Sequence, residues 1–201
     1  IVKPVPSLFS FPVKHNFMKT CSGISVDNTE VKLSCSDCLY KQRGRVLITH
    51  LGISGPAIFR LSSFAARSLH KDNYLCEIKI NWLCIDRQKI KNIFGSLRNN
   101  SPNLSLSKYS PFENLPKRVW LILLNKCEID TKIKYSSFSK NYERKITDLL
   151  LETNFSLKGR GAFAEEFVTA GGINLNEIDH RTMTSLKLKD LYFSGEVLDI
   201  D

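Results

Sequence analysis

Strand-forming alternation breaks off near Leu83 and resumes near Phe155, and the residues between them repeat with a helical period. This constrains the fold tightly: a helical unit sits inside a β domain whose strands must find one another across the gap. On the upstream side, Cys76, Ile78, Ile80 and Trp82 alternate with Glu77, Lys79 and Asn81, which marks a strand with one buried face. Within the insert, Ile90, Ile93, Phe94 and Leu97 share one helical face, and Tyr142, Ile146, Leu149 and Leu150 share another. Val119–Leu124 is apolar all round. Loops rich in Ser, Asn and Pro at 99–103 and 110–116 separate these segments, giving three or four helices.

The first third of the chain reads as extended. Ile24, Val26, Val31 and Leu33 alternate around a polar Asp27-Asn28 centre, a pattern that predicts a hairpin over 23–34. Arg45–His50 is a short β-branched strand, stopped by Gly52-Ile53-Ser54-Gly55-Pro56. A helix should follow, with Ala57, Ile58, Leu61, Phe64, Ala65 and Leu69 on one face, Ser54 placed to cap it and Pro56 in its first turn. Further strands are expected at Phe155–Leu157, Phe163–Thr169 and Asp190–Gly195.

Charge narrows the partners. Lys plus Arg number 29 against 20 Asp plus Glu, a net +9 that favours polyanions. The cations recur in small groups: Lys41, Arg43 and Arg45; Arg87, Lys89 and Lys91; Lys117 and Arg118; Lys140, Arg144 and Lys145. They read either as solvated faces of a basic protein or as an RNA-binding surface, on which an aromatic such as Trp82 would stack a base. The longest apolar run, Val119–Leu124, falls far short of the roughly 18 residues a membrane span needs, so no membrane partner is expected. The N-terminal Ile-Val-Lys-Pro-Val-Pro lacks the features of a signal peptide and reads as the interior of a longer chain. The six cysteines are then expected to be reduced thiols in the cytoplasm. Cys35-x-x-Cys38 invites a zinc or redox reading, but the other nearby candidates, Cys21 and His15, have no familiar ligand spacing. The pair also lies in a turn between strands rather than at a helix N-terminus, so no metal site is expected.

Two blocks carry a resemblance. Gly44–Ala57 reads Gly-Arg-Val-Leu-Ile-Thr-His-Leu-Gly-Ile-Ser-Gly-Pro-Ala, close to a G-x-L-L-x-T-H-x-G-(I/L)-S-G-P-A motif. Phe167-Val-Thr-Ala-Gly-Gly-Ile173, Glu177-Ile178, Thr182-Met183 and Leu191-Tyr-Phe-Ser-Gly-Glu-Val-Leu-Asp-Ile-Asp201 follow a V-T-x-G-G-V, E-I, T-M and L-Y-F-x-G-E-V-L-D-x-D series. Together they resemble the YhiN/BaiN-like flavoproteins, NAD(P)/FAD-dependent oxidoreductases in which a β-barrel, itself interrupted by helices, is inserted into an FAD-binding domain. The resemblance implies an α+β fold: an antiparallel β-barrel from 1–84 and 154–168, a helical subdomain at 85–153, and returning strands of the FAD-binding α/β domain at 169–201. The halves of that domain bearing the G-x-G-x-x-G fingerprint and the later Gly-rich stretch would be partners outside this chain.

By the same resemblance, FAD is the cofactor of the intact protein, with NAD(P)H as electron donor. Glu196, following Gly195, would accept hydrogen bonds from the flavin ribityl chain, with Asp199 and Asp201 close by, while Thr169, Gly171 and Gly172 would pass near the isoalloxazine ring. His50, beside a helix N-terminus, is the weak candidate for proton exchange with an otherwise unidentified substrate. The resulting expectation is the substrate-side insert of a flavin-dependent oxidoreductase, colourless and inactive alone. The alternatives are a basic RNA-binding module, which could position an RNA base for reduction, or a structural cap over the flavin.

Overall fold

Nearly all strand-period segments find antiparallel partners, and the order in which they pair curls the sheet. The computed structural model describes residues 1–159 and 166–200. In chain order the elements are β1 (Val2–Phe9), β2 (Phe11–Pro12), α1 (Asn16–Cys21), β3 (Ser25–Ser34), β4 (Leu39–Ile48), β5 (Gly52–Ser54), α2 (Pro56–Phe64), α3 (Ala66–Lys71) and β6 (Leu75–Asn81). The helical insert follows as α4 (Arg87–Asn100), α5 (Lys117–Lys126) and α6 (Lys140–Leu151), and then β7 (Thr153–Lys158), β8 (Glu166–Gly172), β9 (Ile178–Asp179) and β10 (Thr184–Ser185).

A six-stranded sheet runs in the order β2-β5-β4-β3-β6-β7, while β8 pairs with β1 and β9 with β10, all antiparallel. Only Ser10 separates β1 from β2, so the two larger ladders share one bent strand. The sheet's ends approach each other, since the rings of His15 and Phe17, just past β2, lie 5.6 and 5.8 Å from that of Phe155 on β7. The fold is therefore α+β with a strongly curled antiparallel sheet, although the hydrogen-bonded ring does not close among the described residues. Val31, Leu33, Val46, Ile48, Ile78 and Ile80 fill its interior, and α2 lays Ala57, Ile58 and Leu61 against them. Among the described residues no helix is long and apolar enough to cross a membrane.

In the helical subdomain, α4 is capped by Asp86, whose carboxylate accepts from the Lys89 N–H at 2.7 Å, and α6 by Ser139, whose Oγ accepts from the Tyr142 N–H at 3.2 Å. Its centre is aromatic: the ring of Phe94 lies 5.7, 6.3 and 5.3 Å from those of Phe112, Trp120 and Phe138. Trp82 joins this subdomain to the sheet, because its Nε1–H donates to Thr153 Oγ1 at 2.8 Å and that hydroxyl donates to the Leu149 carbonyl at 2.6 Å.

The structure corrects five expectations, the first being the single helix after Gly55: the chain breaks at Ala65 between α2 and α3, and Phe64 is exposed instead of sharing the buried face. Residues 23–34 are not a hairpin: β3 is a single strand, and Asn28, at φ 51°, absorbs a bulge in the β3–β4 register between Val26 and Thr29. Partner-strand contacts decide this, with Thr29 Oγ1 donating to the Gly44 carbonyl at 2.8 Å and Arg45 Nε to Asp27 at 2.5 Å. The chain reverses later, where the Cys35 N–H donates to the Cys38 carbonyl at 3.0 Å. Ser54 does not cap α2. It belongs to β5, its Oγ accepts from Ser10 Oγ at 2.7 Å, and Gly55, at φ 100°, takes the cap position. A Cβ on residue 55 would stand 2.9 Å from the Arg45 carbonyl, which is why the turn onto α2 needs glycine. Asp190–Gly195 forms no strand, since its one strand-like pairing among the described residues is the bridge of Tyr192 to Thr184. Trp82 is fully buried and cannot stack a base: the alternation that makes β6 a strand points it into the core. The expected strand start at Phe163 lies outside the described residues.

Candidate functional site

The end of β8 is held between two other stretches of backbone. Gly171 (φ 98°) and Gly172 (φ 146°) have left-handed conformations, and a Cβ at either would collide with main chain, 2.5 Å from the Lys3 carbonyl oxygen and 2.3 Å from that of Val197. Glycine is the residue that meets both requirements. The next residue is clamped to the tail, with the Ile173 N–H donating to the Val197 carbonyl at 2.8 Å and the Asp199 N–H to the Ile173 carbonyl at 2.9 Å. Asp199 is anchored in turn, its carboxylate accepting from Arg67 Nη2 of α3 at 2.7 Å. Under this junction Val5, Ala66 and Ala170 form a small buried cluster of their own.

The predicted cofactor residues thus divide. Gly171, Gly172 and Asp199 come together at one junction of β1, β8, α3 and the tail, and Thr169 precedes it on β8 with an exposed side chain. Glu196 is exposed next to the clamped Val197, and Gly195, at φ 78°, has open space where a side chain would project. Asp201 lies outside the described residues. His50 is exposed in the turn from β4 to β5, on a different element from the junction. Around the tail, Leu186, Leu188, Leu191, Tyr192, Val197 and Ile200 are between 38% and 67% exposed.

A second feature lies between the sheet and the helical subdomain. An open cleft of about 900 Å³ is bordered by Lys32, Arg87, Lys126 and Lys145, with Asp148 and Glu152 among its acids. Arg87 is held by Asp148 at 2.6 Å, and Lys126 Nζ lies 5.7 Å from the centre of the Phe155 ring. Next to Phe155, burial and then the charge of Lys126 hold the His15 imidazole below its ordinary pKa. The cations come from β3, α4, α5 and α6, so the sequence groupings, which followed neighbours along the chain, missed Lys32 and Lys126.

Comparison with known proteins places these features in context. The family described as the HI0933-like protein barrel and H2TH domain matches residues 5–168. The chain is 27% identical over 202 residues to a ribosomal RNA dihydrouridine synthase of Haemophilus influenzae, covering 100% of this chain and 47% of that protein. To the protein of the same name from Escherichia coli it is 30% identical over 159 residues, 79% of this chain and 37% of that one. To a 3-dehydro-bile acid delta(4,6)-reductase of Clostridium scindens it is 22% identical over 198 residues, 98% of this chain and 48% of that one. The chain spans about half the length of these curated relatives, or less.

Proposed function

The chain belongs to the family of the HI0933-like protein barrel and H2TH domain, and we propose that it forms the substrate-side insert of a flavin-dependent oxidoreductase, together with one wall of the FAD site. The observation that carries this reading is the junction at which Gly171 and Gly172 seat the tail beside β8 and leave the Glu196 carboxylate exposed. The groups present suit one edge of FAD. Glu196 and Asp199 offer carboxylate acceptors for ribityl hydroxyls, and exposed Thr169 adds a hydroxyl. The apolar side chains exposed along 186–200 would be covered by the FAD-binding halves of the longer polypeptide that we propose surrounds this chain. Bound FAD supplies hydride chemistry, with NAD(P)H as the proposed donor. The insert orients the substrate and excludes water.

For the substrate we favour a uridine in ribosomal RNA. Two relatives are named for that chemistry, and the cleft sets Lys32, Lys126 and Lys145, beside the Arg87–Asp148 pair, where they could meet phosphates, in a chain of net charge +9. The absorption spectrum of the purified longer polypeptide tests the flavin part. Flavin bands that bleach on adding NADH or NADPH are expected, and a colourless preparation would refute it. An electrophoretic shift of ribosomal RNA fragments by the present chain at low salt tests the substrate part. No shift would leave a flavoenzyme whose substrate is a small molecule, as the name of the Clostridium scindens relative describes for that protein.

A further inference from the structure

The β3–β6 register pairs Leu33 with Ile78 and Ser34 with Glu77, and its continuation sets Cys35 opposite Cys76. Their sulfurs lie 3.4 Å apart. Asp72, just past α3, brings a carboxylate oxygen to 3.9 Å from Cys76 Sγ, and the three potential ligand atoms all lie within 4.8 Å of one another. That carboxylate is oriented by Ser36, whose N–H donates to Oδ2 at 2.6 Å and whose hydroxyl donates to Oδ1 at 2.8 Å. All six cysteines are free thiols. A tetrahedral ion with metal–sulfur bonds of about 2.3 Å holds its ligand atoms roughly 3.5–3.8 Å apart. The cluster already stands near that spacing, and the Ser36 hydrogen bonds that orient the carboxylate are the outer support that metal sites use.

We propose that Cys35, Cys76 and Asp72 form a binding site for a thiophilic divalent cation of the zinc class, with water in the fourth position. Binding releases both thiol protons to solvent, so a dipositive ion and three anionic ligands leave a single negative charge. Lys71, at the end of α3, feels the Asp72 charge but is itself paired with Asp37 of the β3–β4 turn. Each thiol must lose its proton before its sulfur can bind the ion. Affinity should therefore rise steeply with pH. Zinc of this kind would tie the β3–β4 turn to β6 and the end of α3, away from the cleft described above.

The test is a Co2+ titration of the full, reduced, metal-free chain at mildly alkaline pH. One equivalent should produce sulfur-to-cobalt charge-transfer absorption, and Zn2+ should displace it. Cys76→Ser should abolish the absorption, Asp72→Asn should weaken Co2+ binding by about tenfold or more, and Cys127→Ser, in the helical subdomain, should leave it unchanged. If Cys76→Ser does not fold by circular dichroism, the partly exposed Asp72→Asn decides. No charge-transfer absorption at saturating Co2+, unchanged affinity in Asp72→Asn, or absorption lost in Cys127→Ser would each overturn the site.

Discussion

The carbonyl oxygen of Val197 stands 2.3 Å from where a Cβ on residue 172 would project, so the tail lies against β8 because Gly172 has no side chain. Gly172→Ala should therefore detach the tail without unfolding the sheet. Its strain, from the clash and a φ of 146°, is about 1–3 kcal/mol. Hydrogen exchange checks this: the amides of Ile173 and Asp199, bonded across the junction, should exchange roughly tenfold to a hundredfold faster, while those of β3 stay protected. Unchanged exchange at Ile173 would show that the clamp is not what glycine serves.

Glu30 is buried on β3 beneath three exposed cations. Lys41 Nζ and Arg43 Nε lie 2.8 and 2.9 Å from its carboxylate, and Lys32 Nζ lies at 3.7 Å. Burial alone would raise its pKa, but the hydrogen bonds from Lys41 and Arg43 and the charges of Lys41 and Lys32 outweigh it and hold the carboxyl below its ordinary 4.5. A folded-state pKa below the unfolded value gives stability that is fully present above the unfolded pKa and is lost as pH falls through the folded one. Glu30→Gln should cost about 1–2 kcal/mol at neutral pH, discounted for the exposure of the cations. In urea melts the gap from the parent chain should close as the pH falls below about 4. An equal gap at both pH values would contradict the assignment.

Trp82 separates structural from RNA-binding roles. Trp82→Phe keeps the ring but loses the bond to Thr153 Oγ1, at a cost of about 1 kcal/mol, whereas Trp82→Ala leaves a cavity worth roughly 3–5 kcal/mol. Denaturant melts read both values. Because the indole is fully buried, Trp82→Phe should leave any RNA shift unchanged.

If the cleft binds RNA through its lysines, Lys145→Ala should weaken binding to unrelated RNA sequences about equally and make the salt dependence shallower by about one counterion. Shift assays at several salt concentrations measure the slope, and an unchanged slope would remove Lys145 from the contact surface.

Where periodicity and environment agreed, the fold was legible. Cys76–Asn81 alternate because β6 has one buried face, and Ile90 and Phe94 share a helical face because α4 turns that face to the aromatic centre. The reading failed where a residue's role depended on a distant partner. Asp27-Asn28 are turn formers, but β4 lies alongside them and Thr29 bonds to Gly44, so they form a bulge. Leu191-Tyr-Phe have strand propensity, yet a strand needs a ladder, and Tyr192 pairs only through a single bridge among the described residues. Gly171-Gly172 and the acidic tail were visible as motifs, whereas their clamp through Ile173 and the Arg67–Asp199 pair, 132 residues apart, was not. Cys35 stands beside Cys38 in the sequence, but the sulfur 3.4 Å from its own belongs to Cys76, 41 residues away, and only the β3–β6 register reveals that.

The flavin content of the longer polypeptide, parent against Glu196→Gln, tests the proposed cofactor wall most directly. Glu196 is exposed here, so the substitution should leave the circular dichroism unchanged. Loss of a charged hydrogen bond of about 1.5–3 kcal/mol should lower FAD affinity roughly tenfold to a hundredfold. A yellow parent protein and a Glu196→Gln variant that loses most of its flavin on dialysis are the expected result; a variant that keeps its full complement of FAD would contradict the wall.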